Sequence, residues 1–227
     1  MDYMITDYGL ILISMAIAMF AQFYINHNYK KYSKEEGRNG VSGYEAARRI
    51  LDNNGLENVE INQVQGTLSD FYDPRNKTVN LSTDIYNGRT VAAVSVAAHE
   101  CGHAIQDKNG NLFLRMRRAI IPVVNLASYA GYFAVLIGLF FSSLLLLRIG
   151  ILMEVIIFLF QVITLPVEFN ASNRGLKQIK ELNLLEKDEY YGGKKMLTSA
   201  ALTYVAGVVS ALIQVLRLAL LLRRRND

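Results

Sequence analysis

Two of the chain's three histidines stand four residues apart in the stretch VAAHECGHAIQ, residues 96–106, and a glutamate directly follows the first of them. On a helix, positions i and i+4 lie one turn apart on the same face, so His99 and His103 can aim imidazole nitrogens at one point. Glu100 is rotated by about 100° from His99, which sets it beside that point and not among its donors. Zinc accepts such nitrogens readily, and a carboxylate next to the ion can draw a proton from a water molecule. This is the H-E-x-x-H chemistry of metal-assisted hydrolysis. The same imidazoles could instead be buried and hydrogen-bonded, or could hold a structural metal in a noncatalytic membrane protein that recruits partners; an adjacent base then has no task.

A catalytic zinc needs three protein donors and one open position. His27 lies at the end of the first apolar run, where an amphipathic ring is at home without any metal. Asp107 shares the motif helix but is about 12 Å along it from His99. Glu154 falls inside an apolar run, a functional suspect by default. It is about 21 Å along a helix from Glu168, so the two cannot serve one ion. Glu168, in LPVEFNASNRG, comes just after Pro166. If a helix continues through this point, Glu168, Ala171 and Ser172 share a face, and Glu168 completes a His, His, Glu set. Cys101 points away from the metal face, and as the single cysteine it excludes an internal disulfide. Gly102 costs a helix about 1 kcal/mol relative to alanine, which suggests that something must approach the backbone there.

The motif helix is expected over residues 90–107, preceded by the only sizeable polar region of the chain, residues 28–118. SGYE at 42–45 has the form of a capping box, and the apolar spacing of AARRILDNNG predicts a helix of about twelve residues that stops at Gly55. The period then changes to two: VEINQV, TLSDFY and KTVNLS read as strands, with the turn YDPRN between the last two. The charged stretch 173–195 reads as a connecting helix that ends at Gly192 and Gly193.

Around this region lie long apolar runs, at residues 8–25, 119–147, 149–167 and 199–222, in a chain that is 52% hydrophobic over 227 residues. A single soluble core could not hide them all, so the expected fold is an α-helical membrane protein with a small α+β, zincin-like soluble portion and about four hydrophobic segments. The segmentation is 1–27 anchor, 28–118 soluble portion, 119–167 transmembrane hairpin, 168–198 helical segment with the third ligand, 199–222 fourth hydrophobic segment and 223–227 basic tail. The first run lacks the basic start and the cleavage site of a signal peptide and reads as a retained anchor. Lys30, Lys31, Lys34 and Arg38, then Arg115, Arg117 and Arg118, then Arg174, Lys177 and Lys180 fall on one side if the first three runs cross, and by the positive-inside rule that side is the cytoplasm. Arg223, Arg224 and Arg225 break the pattern if the fourth run crosses too; otherwise it re-enters by the same face or lies in the interface. Arg217, inside this run, has a stem long enough to snorkel. The net charge of +4 is modest and sits beside the apolar runs, so the expected partners are the bilayer and a protein or peptide substrate, a membrane or misfolded protein among the candidates, and not nucleic acid.

GYEAARRILDNNGL, LSDFYDPRNKTVNLS, TVAAVSVAAHECGHAIQ, LPVEFNASNRGL and SAALTYVAGVVSAL, in that order, resemble the YugP-like membrane zinc metallopeptidases of bacteria over nearly the whole chain. The resemblance implies a multi-pass cell-membrane zinc endopeptidase, gluzincin-like, with one catalytic Zn2+ on His99, His103 and Glu168 and with Glu100 as catalytic base. More distantly the layout looks like the HtpX-like proteases, whose glutamate stands in an E-F/Y-x-A-D context. Here Ser172 holds the place of that aspartate. Phe71 stands where the family often carries a histidine, so no ligand is expected from its strand. An edge of the small sheet could hold an extended peptide over the metal, with Tyr72 or Lys77 helping or simply lying on the sheet surface. A donor to the oxyanion remains open among Tyr72, Tyr191, Tyr204 and Asn170.

Overall fold

The computed structural model describes residues 2–226, with side chains over 7–224. Seven helices and three strands occur among these residues in the order α1 (Asp2–Tyr32), α2 (Gly43–Asn53), β1 (Glu60–Val64), β2 (Phe71–Asp73), β3 (Thr78–Ser82), α3 (Thr83–Asn87), α4 (Val91–Lys108), α5 (Leu112–Phe140), α6 (Leu144–Glu181) and α7 (Lys187–Asn226). They form two compact units: one comprises Met1–Gln22, Arg115–Pro166 and Thr203–Asp227, the other Phe23–Leu114 and Val167–Leu202.

In the second unit, α2 begins as its sequence predicts. Ser42 Oγ accepts from the Glu45 amide at 3.2 Å, and the Glu45 carboxylate accepts from the Ser42 amide at 2.8 Å. Both halves of the capping box are therefore made. The chain leaves the helix through Asn54 and turns at Gly55, whose φ of +62° suits a residue without a Cβ. The apolar face of α2, with Ala46, Ala47, Ile50 and Leu51, is fully buried and packs on α4. The three strands form a sheet in the order β1-β3-β2, β1 parallel and β2 antiparallel to β3. As the central strand β3 is buried at all five positions, whereas β2 is a short edge. The hairpin from β2 to β3 is set by Asp73, whose carboxylate accepts from the Arg75 amide and from Asn76 Nδ2, both at 2.8 Å.

Small residues bring α4 and α6 together. A Cβ on Gly102 would lie 2.3 Å from the Ala171 carbonyl oxygen, and one on Gly175 would lie 2.6 Å from that of Ala98. The close approach expected at Gly102 is thus the backbone of α6. That helix runs unbroken through Pro166 and ends past Glu181, where Asn183 takes a φ of +49° and the Leu184 amide donates to the Ile179 carbonyl at 3.0 Å. This is a left-handed cap on an asparagine. The helix stop expected at Gly192 and Gly193 is not found: both lie inside α7, where a Cβ would meet the Tyr32 ring at 2.7 Å and Ser95 Oγ at 2.4 Å. These glycines make room for neighbouring side chains and do not end a helix.

In the first unit the apolar side chains face outward; Phe140 is 84% exposed, Tyr129 74% and Leu126 67%. The helices α1, α5, α6 and α7 are each long and apolar enough to cross a membrane. Gly131 against Met153 and Gly150 against Val135 let α5 and α6 approach closely, and the turn between them closes with the Ser143 amide on the Gly138 carbonyl at 2.9 Å. Arg217 is paired within the protein. Its Nε lies 3.2 Å from an Asp7 carboxylate oxygen and its Nη1 donates to Gln214 at 3.1 Å, which sets the first turns of α1 beside the last turns of α7. Because α7 is one uninterrupted helix, a re-entrant turn in the fourth apolar run is excluded.

Candidate metal centre

The i, i+4 spacing on α4 sets the His99 and His103 rings 4.8 Å apart, nearly perpendicular at 84°. The helix is anchored at its start by Thr90, whose hydroxyl accepts from the Ala93 amide at 3.2 Å. Because α6 is held against α4 by Gly102 and Gly175, Glu168 arrives opposite both rings. Its Oε2 lies 3.3 Å from His99 Nε2 and 3.5 Å from His103 Nε2, and the three residues form a group able to hold a metal ion. Donors bound at 2.0–2.1 Å around a tetrahedral zinc stand roughly 3.3–3.4 Å from one another. Both carboxylate–imidazole distances therefore match the edges of a zinc tetrahedron, and the donor types are those zinc takes. His103 and Glu168 are buried and His99 nearly so, which excludes bulk water from most of the cluster.

Glu100 is buried beside this group, with 7% of its surface exposed. Burial pushes its carboxyl up to about 7, helped by the nearby Glu168 and Asp70 carboxylates and opposed by His99 and by the Tyr72 backbone amide that donates to it. Tyr72 belongs to the edge strand β2, so the sheet places a hydrogen-bond donor on this carboxyl. The side chain of the same residue donates from its phenol to Asp107 at 2.9 Å, and Lys77 also pairs with Asp107. Tyr72 and Lys77 thus hold the hairpin to the last turns of α4.

Each imidazole has a second contact. Ser172 Oγ lies 3.1 Å from His99 Nδ1, so the position that departs from the more distant family's aspartate still reaches a histidine. Gln106 Oε1 lies 2.9 Å from His103 Nδ1, and Gln106 Nε2 donates to the Val167 carbonyl at 2.7 Å and to Asn170 Oδ1 at 3.0 Å. Asn170 Oδ1 also accepts from Arg174 Nε at 2.8 Å. The Asn170 oxygen is therefore engaged in this network. Reading the sequence for ligands alone passes over Gln106. Its signal is a polar residue three positions after His103, on the same helix face, in an otherwise apolar helix.

The other candidates are not among the three residues of the metal group. His27, exposed on α1, stacks with Phe23 at 6.2 Å between ring centroids. Glu154 belongs to the other compact unit. Cys101 faces α2, its Sγ 3.6 Å from the Ala47 carbonyl oxygen, and burial pushes its thiol up, away from reactivity.

A chain with four membrane-length helices and a helix-borne pair of imidazoles met by a carboxylate belongs, by its form, among membrane metalloproteins. Comparison with known proteins narrows this. Residues 8–223 match the family described as "Putative neutral zinc metallopeptidase", and the chain belongs to that family. It is 42% identical over 218 residues, 96% of this chain and 97% of the relative, to the "Putative membrane protease YugP" of Bacillus subtilis (strain 168). No solved structure matches. Zinc is the metal that the family implies, and the four apolar helices agree with a membrane setting.

Proposed function

We propose that the protein is a membrane-embedded zinc metalloendopeptidase of the gluzincin type, with His99, His103 and Glu168 as metal ligands and Glu100 as catalytic base. The observation that carries this reading is the meeting of Glu168 Oε2 with both Nε2 atoms at 3.3 and 3.5 Å, with Glu100 buried alongside. His99, His103 and Glu168 would hold a zinc ion, which would supply Lewis acidity toward the scissile carbonyl and an adjacent water. Glu100 takes a proton from the attacking water as its oxygen bonds to the carbonyl carbon, and passes that proton to the amine as the C–N bond breaks. The Tyr72 amide steadies the carboxylate while it is charged. The basic residues that flank the first three apolar runs support a site on the cytoplasmic side, open to membrane or misfolded protein substrates.

The test uses the full-length protein on an unfolded casein-like substrate, with and without a chelator, alongside zinc content by elemental analysis. Glu100→Gln is expected to retain zinc and lose cleavage by a factor of about 100 or more. Glu168→Ala is expected to lose zinc. Full zinc content in Glu168→Ala, or undiminished proteolysis in Glu100→Gln, contradicts the assigned roles.

A further inference from the structure

We propose that Gln106 is a positioning residue that holds His103 in the tautomer with its proton on Nδ1, leaving Nε2 unprotonated toward Glu168, through a hydrogen-bond chain whose direction cannot be reversed. The proposal rests on His103 being a metal ligand, as argued above, but it concerns the imidazole before any ion binds.

The direction follows from the two ends of the chain. A guanidinium nitrogen only donates, so the atom of the Asn170 amide that faces Arg174 Nε at 2.8 Å is its oxygen. That same oxygen lies 3.0 Å from the Gln106 amide, and a backbone carbonyl oxygen, that of Val167, lies 2.7 Å from the same Gln106 atom. Both partners are acceptors, so the Gln106 atom between them is its NH2 group. Turning the amide over would set an oxygen against two oxygens inside a fully buried site. The Gln106 oxygen must therefore face His103, 2.9 Å from Nδ1, and an acceptor there requires Nδ1 to carry the proton. The lone pair is then left on Nε2, the nitrogen directed at Glu168.

The second histidine is held differently, with an acceptor, Glu168 Oε2, 3.3 Å from its Nε2. Ser172 Oγ, 3.1 Å from His99 Nδ1, is a hydroxyl that can donate or accept, so it suits either tautomer. The two imidazoles are thus prepared unequally: His103 is held before metal arrives, and His99 adjusts as it binds. A ligand's supporting hydrogen bond of this kind typically changes metal affinity by about 10–100-fold.

The experiment is nitrogen NMR of the metal-free full-length protein carrying 15N-labelled histidine, at a pH where the imidazoles are neutral. The chain has three histidines, and His27→Gln and His99→Gln separate their signals. In the wild type, His103 is expected to show a protonated Nδ1 and an unprotonated Nε2, whereas His99, which faces the Glu168 carboxylate more closely, is expected to be protonated on Nε2. Gln106→Met, similar in length but without an acceptor for Nδ1–H, should convert His103 to a mixture and weaken Zn2+ binding, in competition with a chelator, by about 10–100-fold. Asn170→Ala removes one of two acceptors from Gln106 and should have a smaller effect on both. Ser172→Ala should leave the His103 signals in place. A wild-type His103 protonated on Nε2 overturns the proposal even if every variant misfolds. So does a Gln106→Met protein that binds zinc less well with the His103 tautomer unchanged, since that is loss of packing alone. If the tautomer responds as stated but the wild type binds no Zn2+, the hydrogen-bond chain stands and the metal reading fails.

Discussion

Ile50 on α2 and Leu126 on α5 are aliphatic side chains of the same size at helix positions, yet Ile50 is 0% exposed and Leu126 67%. Each is representative of its compact unit. Around the metal centre, the apolar face of α2, the central strand β3 and nearly all of α4 turn inward, and the enclosed Gln106 and Ser95 side chains are hydrogen-bonded. In the unit built from α1, α5 and the adjoining parts of α6 and α7, the large apolar side chains face outward, and the charges of Asp7 and Arg217 turn toward each other. Removal of apolar surface from water holds the unit around the metal centre together. It cannot hold the long apolar helices together in lipid, where outward leucines are already in apolar surroundings and association depends on close packing and paired polar groups. Glycines serve both units, but only around the metal centre does their absence of a Cβ set the distance between ligands.

Three pairs of measurements bear on this contrast, the largest effect first. Ile50→Ala should lower the stability of the detergent-solubilised full chain by about 2–5 kcal/mol, while Leu126→Ala shifts it by less than about 0.5 kcal/mol. Similar losses in both, by thermal or denaturant unfolding, would mean that the two units are built alike. Gly102→Ala puts a Cβ within 2.3 Å of the Ala171 carbonyl and should cost about 1–3 kcal/mol together with zinc occupancy, because α4 and Glu168 are pushed apart. The matching change at Gly9 meets nothing within 4 Å and should be neutral or stabilising by up to about 1 kcal/mol. Last, a double-mutant cycle of Asp7→Asn with Arg217→Gln should give a favourable coupling of about 1 kcal/mol in the folded protein; zero coupling would show that the pair does not tie α1 to α7.

Features carried by neighbouring residues were legible in the chain itself. The Ser42 and Glu45 capping box, the start of α4 at Thr90, the turn at Asp73 and Pro74 and the facing of His99 and His103 each depend on one helical or hairpin turn. The lengths of the apolar runs were equally plain, since membrane thickness sets them. The glycines were the ambiguous signal. Gly102 read correctly as a close approach, whereas Gly192 and Gly193 read as a helix end and lie inside α7 against Tyr32 and Ser95. A glycine permits both, and only a distant neighbour distinguishes them. The actual break, at Asn183, carries the weaker of the two residue signals for a left-handed cap.

By itself the sequence determined that a carboxylate base stands next to one of two imidazoles on a shared helix face, and that four helices are long and apolar enough for a bilayer. These properties follow from helical geometry and composition, which need no partner. Tertiary structure alone decided that β1 runs parallel to β3, that Glu168 returns across the loop of chain from α4 to α6 to meet both imidazoles, and that Gln106 faces His103 with its oxygen. Those outcomes depend on which surfaces pack at close range and which buried donors find acceptors, and both are set by residues far apart in the chain.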